Sequence, residues 1–108
     1  MANFDIGSVA TAVLSAAQSA AGGTWDRIQH NFTSDLENVL RDTADIPLLL
    51  ETGQISEPEA EVLVRNKSSI LFLLEQEVEL DTKVVVQNAV NAGIDALWAA
   101  VRTAAGLV

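Results

Sequence analysis

Apolar residues recur at helical spacing along almost the whole chain. Ile6, Val9, Ala10, Val13, Ala17 and Ala20 fall three and four apart, which predicts a helix from about Asp5 to Ala21 with one apolar face. Ala16 and Ala21 widen that face with little relief. Gly22-Gly23 follows as a stop or hinge, because glycine costs about 1 kcal/mol against alanine inside a helix. Trp25, Ile28, Phe32, Leu36, Val39, Leu40 and Thr43 make a second stripe. Thr24 is placed to cap that helix, and Asp26 suits the positive end of its dipole. Thr33-Ser34-Asp35 is a candidate interruption, since these side chains can bond their own backbone. Asp45-Ile46-Pro47 is the expected end or kink, followed by a buried turn at Leu48-Leu49-Leu50.

The stretch Glu51–Glu59 carries the clearest local instructions. Gly53 suits the left-handed residue after a helix. Ser56 with Glu59 three residues later is a capping box, and Pro58 sits in the first turn, where its missing N–H costs nothing. Ile55 can staple onto Ala60 or a neighbour. The turn at 52–56 therefore reads as a tight joint between antiparallel helices. A third helix runs from Glu57 to at least Glu79, with Ala60, Leu63, Lys67, Ile70, Leu71, Leu74 and Val78 on one face. Val62, Val64, Phe72 and Leu73 lie outside that face, and a helix apolar on more than one side is central in a bundle or touches another subunit. Asp81 is the expected cap of a last helix, from about Thr82 to Ala105, with Val86, Val90, Ile94, Leu97 and Val101 on its apolar side. The alternative is one unbroken helix from 57 to 105.

These elements predict an all-α protein: a small bundle of about four helices around a central antiparallel helical hairpin. The one β-branched run, Val84-Val85-Val86, lies inside a helical pattern. A length of 108 residues fits one domain, 1–108, with a modest core. The aromatics are only Phe4, Trp25, Phe32, Phe72 and Trp98, so the core must be largely aliphatic.

Charge divides the domain. Asp26 to Lys83 holds thirteen acids and five bases; the flanking arms hold Asp5, Asp95 and Arg102. Fourteen of the sixteen alanines lie outside that middle. The layout is an acidic hairpin, 25–83, between two low-charge alanine-rich arms, 1–24 and 84–108. A net charge of −9 opposes nucleic acid, whose phosphates would repel the surface. It disfavours acidic lipid for the same reason, so a membrane is a possible partner but not a favoured one. Residues 6–25 are long enough to span a bilayer but contain Ser8, Ser15, Gln18, Ser19 and two glycines, too polar to insert unaided. No cysteine is present, which removes disulfides and thiolate chemistry and suits a reducing compartment. No basic leader opens the sequence, and the expected setting is the cytoplasm or a soluble assembly.

Candidate chemistry is thin. Asp26 and His30 share a helix face and could supply two metal ligands, but the Glu-x-x-His pairs of a two-metal bundle are missing, so an exposed pair is expected. Glu75, Glu77, Glu79 and Asp81 are spaced two apart and diverge around a helix. Glu57, Glu59 and Glu61 are explained by the helix start they open. Asn66-Lys67-Ser68 matches a glycosylation triplet, read here as chance inside a helix, and no phosphate-binding glycine loop accompanies Gly22-Gly23. No cofactor, metal or catalytic residue is expected. The expected role is non-enzymatic: structural assembly through helix–helix contacts, with itself or with another protein. The candidate interface is Val13, Ala17, Trp25, Val90, Gly93, Leu97, Trp98 and Val101, where small residues permit close approach. A membrane-active protein whose arms insert is the first alternative; a small helical metal protein or enzyme is the second.

Overall fold

A computed structural model describes residues 4–79 and 82–107. It is all-α among those residues, with helices α1 (Ile6–Ala21), α2 (Trp25–Thr43), α3 (Ile46–Glu51), α4 (Glu57–Ser68) and α5 (Lys83–Ala104). A 3-10 turn, Gly22–Thr24, joins α1 to α2, and a 3-10 segment, Ser69–Glu77, continues α4.

The capping box and the glycine helix end lie where the sequence places them, and Asp5 adds a cap that was not expected. Asp5 caps α1, accepting from the Gly7 N–H at 3.1 Å and the Ser8 hydroxyl at 2.9 Å. Gly53 has φ +77°, which only glycine adopts without strain. It lets Gln54 N–H reach back to Leu49 O at 2.9 Å and Gly53 N–H to Leu50 O at 3.2 Å, closing the end of α3. Three residues after Gly53, Ser56 N–H donates to Glu59 Oε1 at 3.0 Å and Glu59 N–H to Ser56 Oγ at 3.3 Å, the reciprocal capping box.

Four expectations need correction. Thr24 makes no side-chain cap; its backbone is already helical within the 3-10 turn, so α2 starts without an exposed break. Thr33-Ser34-Asp35 does not interrupt α2, because the Thr33 hydroxyl donates to Gln29 O at 2.8 Å and leaves the ladder in place. Of Leu48-Leu49-Leu50 only Leu50 is buried, and Leu48 is 51% exposed. The third helix is not α-helical through Glu79, and no single rod runs from 57 to 105. Helix α4 ends at Ser68 and the 3-10 segment at an extended Val78 (φ −126°, ψ 164°). The Thr82 N–H and hydroxyl then both donate to Glu79 O, at 3.0 and 2.8 Å. The expected cap at Asp81 lies outside the described residues.

The change at Ser68 has a local cause. Ser68 is fully buried, and its hydroxyl donates to Val64 O within its own helix. Ser69 follows with a hydroxyl bond to Asn66 O at 2.7 Å. Serine back-bonding of this kind competes with the regular ladder and bends helices. Beyond it burial repeats every three residues: Leu71 and Leu74 are buried, Phe72 and Glu75 half-buried, Ile70 and Leu73 exposed. That is the period of a 3-10 helix, where positions three apart eclipse.

Helices α1 and α5 pack most extensively. Val9 and Ala12 line the same groove as Ala100 and Ala104, while Val13 and Ala17 meet Gly93, so the two run antiparallel. Helix α2 lays Ile28, Phe32, Leu36, Val39 and Leu40 into the core, and α4 adds Ala60 and Val64. Gly93 marks the tightest point. A Cβ there would stand 3.2 Å from Phe32 Cζ and 3.3 Å from Val13 Cγ1, so the glycine lets three helices converge. Trp25 meets Phe32 edge-on, with centroids 5.3 Å apart at 62°.

Candidate functional site

Seven of the eight candidate interface residues are used inside the chain itself. Val13, Ala17, Trp25, Val90, Gly93, Leu97 and Val101 are buried, and Trp98 is half-buried against the same core. The small residues of the two arms therefore close α1 on α5 rather than presenting a surface. Sequence periodicity finds an apolar face but does not say whether the same chain covers it.

Among the polar candidates, Glu57, Glu59 and Glu61 are engaged in local contacts. Asp26, Gln29, His30, Thr33, Ser34 and Glu37 line an open groove of about 510 Å³ on the outer side of α2. No group of three His, Cys, Asp or Glu side chains able to hold a metal occurs among the described residues. Glu57 pairs with Arg102 across α4 and α5 at 2.7 Å, although the Nε–H direction misses hydrogen-bond alignment. Arg65 bridges the same two helices, reaching Glu61 at 3.1 Å and Asp95 at 3.2 Å. The hydrogen bond that Arg65 donates to Glu61 is the main cause holding the guanidinium above its ordinary range; partial burial opposes it, and the bond to Asp95 adds a lesser upward push. Glu59 is held below the usual carboxylate range by the Ser56 N–H, then by the Ser56 hydroxyl. Asp5 is lowered by the Ser8 hydroxyl, then by the Ser8 and Gly7 N–H groups.

Large apolar side chains are also left exposed: Ile6 on α1, Leu48 on α3, Val84 on α5, Leu107, and three on α4 and its 3-10 extension. Along α4 the buried positions are Ala60, Val64 and Ser68, with Leu71 and Leu74 continuing the line. The expected face through Leu63, Lys67 and Ile70 is displaced: Leu63 is half-buried, Lys67 and Ile70 are exposed. Val62 is 57% exposed, Ile70 43% and Leu73 56%. Beside Val62, the side chains of Ile55, Pro58, Glu59 and Leu63 shape a shallow, mostly apolar groove of about 420 Å³. Sequence reasoning set Val62 and Leu73 apart as surplus apolar residues but placed Ile70 in the core. The signal that could have found it is Ser68-Ser69, the pair that shifts the period from 3.6 to 3. Comparison with protein-family models, with curated proteins and with solved structures finds no match to this chain.

Proposed function

We propose that this chain is a non-enzymatic assembly protein that works through helix–helix contacts and associates with itself. In this reading α1, α2, α4 with its 3-10 extension, and α5 close as a four-helix bundle. The joint at 52–56 is the elbow of an acidic helical hairpin. The observation that carries the proposal is the exposure of large apolar residues, three of which, Val62, Ile70 and Leu73, lie on α4 and its 3-10 extension, with Ile6, Leu48, Val84 and Leu107 exposed elsewhere. Exposed apolar side chains close together along one element are the kind of surface a partner covers. The polar side chains support it from the other direction: Asp5, Glu57, Glu59, Glu61 and Arg65 are engaged in caps and ion pairs within the fold. The working place would be the cytoplasm or a soluble assembly. Gel filtration with light scattering tests this at neutral pH without detergent. A defined oligomer is expected, and a monomer across the whole accessible concentration range overturns the proposal.

A second reading, membrane activity, has one observation in its favour. Helix α5 has 22 residues and a mean hydropathy of 1.3, long and apolar enough to cross a bilayer by length and composition. Against it, the outward positions of α5 include Gln87, Asn88, Asn91 and Asp95. Dye release from vesicles at pH 5 and pH 7 separates the two readings: the assembly protein releases none.

A further inference from the structure

We infer that α4 is a strap: it swings off a standing core of α1, α2 and α5 while the segments on either side of it stay anchored. The inference does not depend on the self-association proposed above.

Burial marks the two anchors. Before the strap, α3 is pinned by Ile46, Pro47 and Leu50. After it, the 3-10 segment is pinned by Leu71 and Leu74, each 1% exposed. Across residues 51–70 the buried side chains are Ala60, Val64 and Ser68, with Ile55, Glu61 and Leu63 half-buried. Helix α2, by contrast, buries Trp25, Ile28, Phe32, Leu36, Val39 and Leu40. Burial stabilises in proportion to apolar area, and one alanine, one valine and one serine offer little of it. The Ser68 hydroxyl turns back to Val64 O in its own helix rather than across to a neighbour.

The polar ties from α4 to α5 are open to water. Arg65 reaches Asp95 at 3.2 Å and Arg102 reaches Glu57 at 2.7 Å, with the four side chains 38–68% exposed. Exposed pairs of this kind contribute little. A joint stands at each end. Gly53, at φ +77°, turns the chain before α4, and at Ser68–Ser69 α winding gives way to 3-10. Few buried apolar groups between two anchored flanks are the profile of a unit that opens more cheaply than the whole domain unfolds. Closed, α4 lies on α2 and α5, and its Ala60 and Val64 join the common core. Open, it bares the sides of α2 and α5 that it covers, while Val13 and Ala17 keep their contact with Gly93 in the α1–α5 seam.

Thiol labelling tests the strap, since the chain has no cysteine of its own. Ala60, Val64 and Ala17 are each 0% exposed, so a thiol placed at any of them reacts only after something opens. Ala60→Cys and Val64→Cys should react with a soluble disulfide reagent at least tenfold faster than Ala17→Cys in the α1–α5 seam; equal rates overturn the strap. The rates at 60 and 64 should agree within threefold, and a fast site at only one of them is a frayed end and overturns it. Val13→Ala, in the same seam, should speed the labelling of Ala17→Cys by tenfold or more and leave that of Ala60→Cys unchanged. An equal rise at both means that α4 opens only when the whole domain unfolds, and overturns the strap. Amide exchange of the native chain gives the same answer without a substitution. A helix as short as α4 is marginal once freed, so the amides of 60–66 should exchange at least tenfold faster than those of 28–40. Equal protection of the two stretches overturns the strap as well.

Discussion

The seam between α1 and α5 and the outer side of α4 are both apolar, yet they are built on opposite plans. The seam uses small residues and no charge: Ala17, Ala21, Ala89 and Gly93 let two helices approach until their faces are covered. The α4 side keeps large side chains, Val62, Ile70 and Leu73, among acids and bases, and they remain open. Uncharged and small means closed within the chain here; large and charge-flanked means available. The two regions should respond differently to substitution, the seam through stability and the α4 side through mass.

The largest effect is expected in the seam. Phe32→Ala removes a fully buried ring that touches the Gly93 junction and Trp25, and should cost about 3–5 kcal/mol. Gly93→Val should cost about 2–3 kcal/mol, since its Cβ alone would crowd Phe32 and Val13, both fully buried. Urea titration of each variant measures the loss. If Gly93→Val left stability unchanged, the close approach of α1 to α5 would be wrong. Neither variant should alter the mass of the folded fraction.

A smaller effect is expected at the α4 joint. Ser56→Ala removes half of the capping box and should cost about 1 kcal/mol at pH 7. The loss should shrink at pH 2. A carboxyl whose folded pKa lies below its unfolded value stabilises fully above the unfolded value and stops doing so as pH falls through the folded one. Glu59 and Asp5 are both of this kind, so the starts of α4 and α1 should loosen below about pH 4, read by far-ultraviolet circular dichroism. Smallest of all, Arg65→Ala should cost about 0.5 kcal/mol or less per lost pair, because both partners are largely exposed and salt screens them. An equal loss in low and high salt would contradict that account.

Legibility in the sequence follows the reach of each interaction. The cap at Ser56 and the helix end at Gly53 need partners only a few residues away, and the sequence shows both halves of each. The burial line along α4 does not. It depends on a buried Ser68 satisfying its own hydroxyl, which puts the buried line through Val64 and Ser68 and leaves Lys67 exposed, and on the change of period beyond it, which displaces Ile70. The candidate interface shows a further limit. Val13, Ala17, Gly93 and Leu97 are buried within the chain, where α1 packs on α5, 60 or more residues away. Periodicity gives the face of a helix and not the identity of what covers it.

The 3-10 winding of Ser69–Glu77 also fixes a length. A 3-10 helix rises about 2.0 Å per residue and an α-helix 1.5 Å, so these nine residues span roughly 4–5 Å more than α winding would give. Rewinding them would draw Val78 back toward Ser68 and change the step between neighbouring side chains from about 120° to 100°, turning Leu73 away from the line of Ile70. Extension and the lateral alignment of those two side chains are thus one variable. Tension along the chain would favour the state in which they point the same way, and slack would scatter them.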